Sequence, residues 1–215
     1  QMMIDILNTP FPPIMREHIL DPLGMENSHK VGAIGRPGFD WEYRIVDEQL
    51  APVAPGTPGE LIIKGPGVMR EYYKNPEATR ETLKDGWLMT GDIAREDEDG
   101  FIWLVDRKKD VIITGGENIY PVEIEDFLQG HPQIQDVAVI GLPSLRLGEI
   151  ATAIVKTKPG QELSAKDVDA FCQALPRYKR PRRVIFGDVP RNPTGKIEKP
   201  KLRKQYAGIA ESFKI

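Results

Sequence analysis

The chain has 215 residues, enough for one large or two small domains, and its 40% hydrophobic and 28% charged content is ordinary for a globular protein. No apolar run reaches the ~18 residues of a membrane span, no signal-peptide pattern opens the chain, and a single cysteine, Cys172, excludes an internal disulfide and fits a reducing cytoplasm. The net charge of -3 hides an asymmetry: between Pro176 and Tyr206 eleven Lys or Arg stand against two Asp or Glu, so the rest of the chain is acidic.

In chain order, residues 1–29 read as a head with a helix over 14–20, stopped by Pro22 and Gly24. Val31 to Glu60 is strand and turn. Trp41 to Val46 alternates apolar and polar as a half-buried strand does, Pro52, Pro55, Gly56, Pro58 and Gly59 break it, and Glu60 to Lys64 is its partner. Asn75 caps a short helix that opens with Pro76. The apolar run Trp87-Leu88-Met89 ends in Thr90-Gly91-Asp92, Asp97-Glu98-Asp99-Gly100 is a turn, and Phe101 to Val105 is the returning strand. Asp106-Arg107-Lys108-Lys109-Asp110 places five charges between two apolar strands; such a run is expected at a surface turn, linker or hinge, not in a core.

Val111 to Ile113 is the next strand, followed by the Gly115-Gly116 turn. Pro121 opens an amphipathic helix with Ile124, Phe127 and Leu128 on one face, Glu123, Glu125 and Asp126 favouring its N-terminal end, and Gly130 as its stop. Residues 136–141 and 150–156 are apolar enough for covered strands. Ser164 and Asp167 form a capping pair ahead of Val168, Phe171, Cys172 and Leu175, whose spacing sets Cys172 on a core face as a structural thiol. Arg183 to Phe186 is a last strand and Lys199 to Tyr206 a short basic helix. The fold class is α+β: a β-rich unit over 30–105, a mixed-sheet domain with flanking helices over 106–206, and a tail over 207–215.

Two positions invite chemistry on their own. Asp92, just past a glycine, can offer two acceptor oxygens to a vicinal diol. Lys196, held on the Pro193-Thr194-Gly195 turn away from any helix face, suits an oxygen on which negative charge develops. Taken together, Thr90-Gly91-Asp92, Asp106-Arg107, Gly115-Gly116 and Asn192-Pro193-Thr194-Gly195-Lys196-Ile197 resemble, in order and spacing, the C-terminal part of the adenylate-forming superfamily. That superfamily comprises acyl-CoA synthetases, luciferases and the adenylation domains of peptide synthetases, and the resemblance covers about Val31 to Tyr206.

The resemblance implies a set of roles. Asp92 and Arg107 would hold the ribose of ATP, and Lys196 would stabilise the adenylation transition state. Lys109 would be the hinge about which the C-terminal domain swings between two half-reactions, and Gly115 and Gly116 would line the tunnel for the phosphopantetheine thiol. ATP and CoA are the implied ligands, Mg2+ would arrive with ATP, and no residue of this chain is assigned to a metal. The implied activity is acid–CoA ligation, as in fatty acid metabolism. The phosphate-binding loop, the acyl pocket and the Thr-Glu pair of the family do not occur in the sequence, so the chain is expected to be inactive alone.

The head departs from the family. Gly24-Met25-Glu26 echoes its aromatic-Gly-x-Thr-Glu loop without the Thr, whereas Pro10 through Met25 resembles a piece of serine β-lactamase-like hydrolases, without their Ser-x-x-Lys. The head is either foreign or a divergent helix and turn. Two other functions remain open: a fragment of an adenylation domain that loads a carrier protein, and a non-catalytic nucleotide- or CoA-binding module. The basic segment does not favour nucleic acid, since Tyr178, Phe186 and Tyr206 are not arrayed for stacking.

Overall fold

A computed structural model describes residue 30 and residues 32–212, with side chains through Ile209. The helix expected over 14–20, its stops at Pro22 and Gly24, and Val31 lie outside the described residues. Two sheets follow one another along the chain. The first contains β1 (Ala33–Gly35), β2 (Glu42–Val46), β3 (Gly59–Lys64), β4 (Leu83–Lys84), β5 (Trp87–Glu96) and β6 (Ile102–Arg107) in the order β1-β6-β5-β3-β2, with β4 against β5 and every pair antiparallel. Ile45, Leu61, Ala94 and Ile102 form its small core. The helix α1 (Pro76–Thr82) starts as expected: Pro76 sits in the first turn, and Asn75 Oδ1 accepts the Ala78 N–H at 3.1 Å.

Strand β5 does not end at Thr90-Gly91-Asp92. It continues to Glu96, and its register against β3 slips between Glu60 and Ile62, so the tripeptide forms a bulge inside a long strand. Gly91 lies at φ +70, where a side chain would be strained.

The second sheet holds β7 (Ile112–Thr114), β8 (Glu117–Ile119), β9 (Ile134–Ser144), β10 (Gly148–Thr157) and β11 (Arg183–Phe186). β10 is central: β9 runs antiparallel to it, β11 parallel, and the β7–β8 hairpin joins where Gly148 faces Thr114. The parallel β10–β11 pair requires a crossover, which passes through α3 (Ala165–Phe171). Residues of β9 alternate between two faces. Val137 and Val139 pack with Ile124 and Leu128 of α2 (Pro121–Gln129) and with Val168 and Cys172, whereas Ala138 and Ile140 pack with Leu202 and Tyr206 of α4 (Lys199–Tyr206). The sheet is thus covered by helices on both faces, which is why its strands read as continuous apolar runs.

The capping box at Ser164 and Asp167 is present, and Cys172 is a buried free thiol that burial pushes up to about 11. Three charged side chains depart from expectation. Asp106, Asp110 and Glu125 are all buried, whereas Arg107, Lys108 and Lys109 lie exposed on a turn between the sheets, as a charged run at a surface turn, linker or hinge predicts. Each buried acid has partners that the local sequence does not reveal. Asp106 accepts the Arg107 and Val122 N–H groups, Asp110 pairs with Arg203 at 2.8 Å, and Glu125 accepts the Val139 N–H and pairs with Lys199 at 2.9 Å.

Candidate active site

Asp92 and Arg107 face one another across the β5–β6 ladder, and Arg107 Nε lies 2.8 Å from Asp92 Oδ1. Asp92 is a quarter exposed and Arg107 about half, so both can exchange this contact for a ligand from solvent. Asp92 also borders an apolar recess of about 480 Å³ walled by Trp41, Tyr43, Ile63 and Leu104. A carboxylate and a guanidinium beside an apolar wall can together bind a hydroxyl-rich ring, the acid accepting from hydroxyls and the base donating to oxygens.

One residue past Arg107 the chain leaves the first sheet, and the single 3-10 turn Lys108–Asp110 carries it to β7 of the second. The three residues of this turn are held differently. Lys108 Nζ pairs with Glu60 Oε2 of the first sheet at 2.7 Å, Asp110 pairs with Arg203 of the second unit, and Lys109 between them is exposed. Just before the turn, burial pushes the Asp106 carboxyl up, against its bond from the Val122 N–H at 2.9 Å.

Gly115 and Gly116 are the two central residues of the β7–β8 hairpin, at φ +58 and +89, values that a type I′ turn requires and that glycine meets without strain. The Gly115 N–H donates to the Leu147 carbonyl at 2.8 Å, so this turn is tied to the tip of the β9–β10 hairpin.

Lys196 closes a turn built by Asn192. The Asn192 Oδ1 accepts the backbone N–H groups of Thr194 and Lys196 and the Thr194 hydroxyl, at 3.0, 2.9 and 2.8 Å. Arg191 anchors the base of that turn, forking onto Asp136 of β9 and donating to the Gly195 carbonyl. The Lys196 side chain is exposed beyond this rigid base.

Of the residues singled out from sequence, Asp92 and Arg107 meet directly, and Lys109 lies two positions beyond Arg107. Among the described residues, no hydrogen bond or ion pair joins Lys196 or the Gly115–Gly116 turn to that pair. Sequence reasoning gave no role to Glu60, Asp136 or Asn192. Glu60 carried a signal as a lone acid heading the apolar run Leu61-Ile62-Ile63, and Asn192 as the first residue of an Asn-Pro-Thr-Gly turn.

The comparisons agree with this architecture. A family profile described as AMP-binding enzyme C-terminal domain matches residues 123–196, and one described as AMP-binding enzyme matches residues 13–73. The second match begins upstream of Val31, which extends the family resemblance into the head and favours a divergent segment over a foreign one for that part. A feruloyl-CoA synthase of Amycolatopsis sp is 42% identical over 181 residues, covering 83% of this chain and 37% of that protein. The long-chain-fatty-acid–CoA ligase FadD13 of Mycobacterium tuberculosis is 49% identical over 151 residues, 69% of this chain and 30% of its own length. Among solved structures, ATP-bound MatB from Rhodopseudomonas palustris superposes with a TM-score of 0.78 at 36% identity, over 83% of this chain and 36% of that one. The fold and the two matched profiles place the chain in the AMP-binding enzyme family. The chain belongs to the adenylate-forming superfamily, and it spans about a third of the length of the curated relatives it matches.

Proposed function

We propose that the chain is the C-terminal part of an acid–CoA ligase, the whole of which activates a carboxylic acid with ATP and passes the acyl group to CoA. In the first half-reaction the acid's carboxylate oxygen attacks the α-phosphorus of ATP, and pyrophosphate leaves. In the second, the CoA thiolate attacks the acyl carbonyl and AMP leaves. Asp92 and Arg107 hold the ribose through both. Lys196 brings a positive charge to the oxygens around the reacting phosphorus, preorganised by the Asn192 turn and the Arg191–Asp136 fork.

The observation that carries this reading is the Asp92–Arg107 pair at 2.8 Å lying immediately ahead of the crossover between sheets. A ribose-binding pair on the fixed side of a pivot serves both half-reactions while the groups beyond the pivot are exchanged. Lys109 is that pivot, the part of residues 106–206 beyond it is what moves, and the Gly115–Gly116 turn faces the thiol in the second arrangement, where a side chain would narrow its path. Among the described residues no group of three His, Cys, Asp or Glu side chains is gathered to hold a metal. Mg2+ would come with the nucleotide phosphates and neutralise their charge.

The relatives' names favour CoA over a carrier protein as acceptor. Among the described residues no helix is long and apolar enough to cross a membrane. A cytoplasmic setting, where ATP and CoA are available, is part of the proposal.

The test joins the chain to the N-terminal portion of a relative and follows pyrophosphate exchange and thioester formation separately. The unassisted chain should exchange no pyrophosphate and the joined enzyme should. Lys196→Ala should then lower exchange by about 10²–10³ while thioester formation from a supplied acyl-adenylate is nearly untouched. Lys109→Pro should do the reverse. If Lys196→Ala slows both halves equally, the assignment of Lys196 to the first half is wrong.

A further inference from the structure

The bulge in β5 leaves the Gly91 N–H without its ladder partner, and a side chain takes that place. Glu60 on β3, only 7% exposed, accepts the Gly91 N–H on Oε1 at 3.2 Å and the Lys108 ammonium on Oε2 at 2.7 Å. Thr90 secures the same bulge: its hydroxyl donates to the Leu61 carbonyl at 2.6 Å and accepts the Asp92 N–H at 3.1 Å. Gly91 directly precedes Asp92, and Lys108 directly follows Arg107. One buried carboxylate therefore touches the neighbour of each member of the Asp92–Arg107 pair.

We propose that Glu60 is a positioning residue, fixing the bulge that presents Asp92 with one oxygen and the first-sheet end of the crossover with the other. The ribose-binding roles of Asp92 and Arg107 rest on the function proposed above, whereas the tie itself rests on geometry. Because Lys108 is held to the first sheet, motion about the crossover is confined to Lys109 and the residues after it. The site keeps its ribose contacts while the second unit turns. A glutamate is required because an amide at this position can still accept from Gly91 but cannot hold a cation on its other arm.

The chain itself, labelled with 15N, tests this by amide hydrogen exchange and by the Arg107 Nε–H resonance. Glu60→Ala should speed exchange at Gly91 by about tenfold, and likewise at Val111, whose N–H closes the turn onto the Arg107 carbonyl at 3.2 Å. It should also shift the Arg107 signal. Lys108→Met should loosen Val111 by a similar factor and leave Gly91 within about threefold. Glu60→Gln should do the same, and Lys108→Arg should restore the wild-type pattern. Amides of Val139 and Ile154 serve as controls and should stay unchanged. If Glu60→Ala does not fold, Glu60→Gln and Lys108→Met decide alone.

Unmoved Gly91 and Arg107 signals in Glu60→Ala would overturn the proposal, as would a Lys108→Met change spread equally over the control amides. In the joined enzyme, Glu60→Gln should raise KM for ATP about tenfold with little change in kcat for thioester formation from a supplied adenylate. If that joined enzyme makes no adenylate even as wild type, the proposed function falls while the exchange data on the chain still decide the role of Glu60.

Discussion

Replacing Lys199 with Met should destabilise the protein through a charge left behind in the core. Lys199 Nζ lies 2.9 Å from Glu125 Oε1, and their side chains are 8% and 11% exposed. Burial pushes the Glu125 carboxyl up, and Lys199 is the leading group opposing that shift. Methionine keeps most of the aliphatic volume, so the loss is electrostatic, and removal of one partner of a buried pair costs about 3–5 kcal/mol at neutral pH. For a chain of this size that lowers Tm by roughly 10 °C. The pH dependence has a definite sign. A carboxyl raised in the folded state favours folding below its unfolded pKa, and that contribution is lost as pH rises through the folded pKa. Without Lys199 the rise is larger, so the deficit of the variant should shrink as pH falls from 7 towards 5. Adding Glu125→Gln, which has no charge to strand, should restore most of the loss at pH 7. Thermal melts of the wild type, both single variants and the double variant, each at pH 5, 6 and 7, read this directly. A deficit in Lys199→Met that is independent of pH and unrelieved by Glu125→Gln would refute the electrostatic account.

Asn192→Ala removes the acceptor of three hydrogen bonds that shape the Lys196 turn, so adenylation in the joined enzyme should fall by about tenfold or more. Tm should change by only a few degrees. Cys172, with its thiol pushed up to about 11 by burial, should resist maleimide at pH 7 in the folded protein and react fully once it is unfolded. Residues 106–206 expressed alone should melt cooperatively in a calorimeter, because both faces of their sheet are already covered by their own helices.

What the sequence discloses is what local chemistry decides. The capping box at Ser164, the Asn75 cap with Pro76 behind it, the strand Arg183–Phe186 and the helix Lys199–Tyr206 all depend on neighbours within a few positions, and all are found where the pattern puts them. The buried acids could not be read in this way. Asp110 finds Arg203 at a separation of 93 residues and Asp106 is held by the start of α2, so the two acids at the ends of the run are buried while its three cations stay exposed on the linking turn. The β5 bulge was equally hidden, because Thr90-Gly91-Asp92 ends an apolar run in sequence while its ladder resumes beyond it. The site divides along the same line. Asp92, Arg107 and Lys196 stand in recognisable local motifs, and Asn192 shapes the last of these through bonds two and four residues ahead, whereas Glu60 and Asp136 act through contacts that only the tertiary structure makes.

The ownership of side chains around the crossover bears on which residue can turn. Lys108 is bound to the first sheet through Glu60, and Asp110 to the second unit through Arg203, so neither can rotate without breaking an ion pair to its own side. Lys109 is exposed and lies between two neighbours that are each anchored by an ion pair. Besides the local Val111 N–H to Arg107 carbonyl bond, a side-chain bond among the described residues opposes a swing about it. Asp106 belongs to β6, yet its Oδ2 accepts the Val122 N–H at the start of α2, across the pivot. A hydrogen bond to an ionised group contributes about 1.5–3 kcal/mol, but burial already disfavours the charged form of this carboxyl, so the net hold is at the lower end. A bias of that size favours the present arrangement by about tenfold and is small enough for a ligand that contacts the second unit differently in its two positions to reverse. On the proposed function, the buried acid beside the pivot serves as a weak catch for a site that presents two faces in turn.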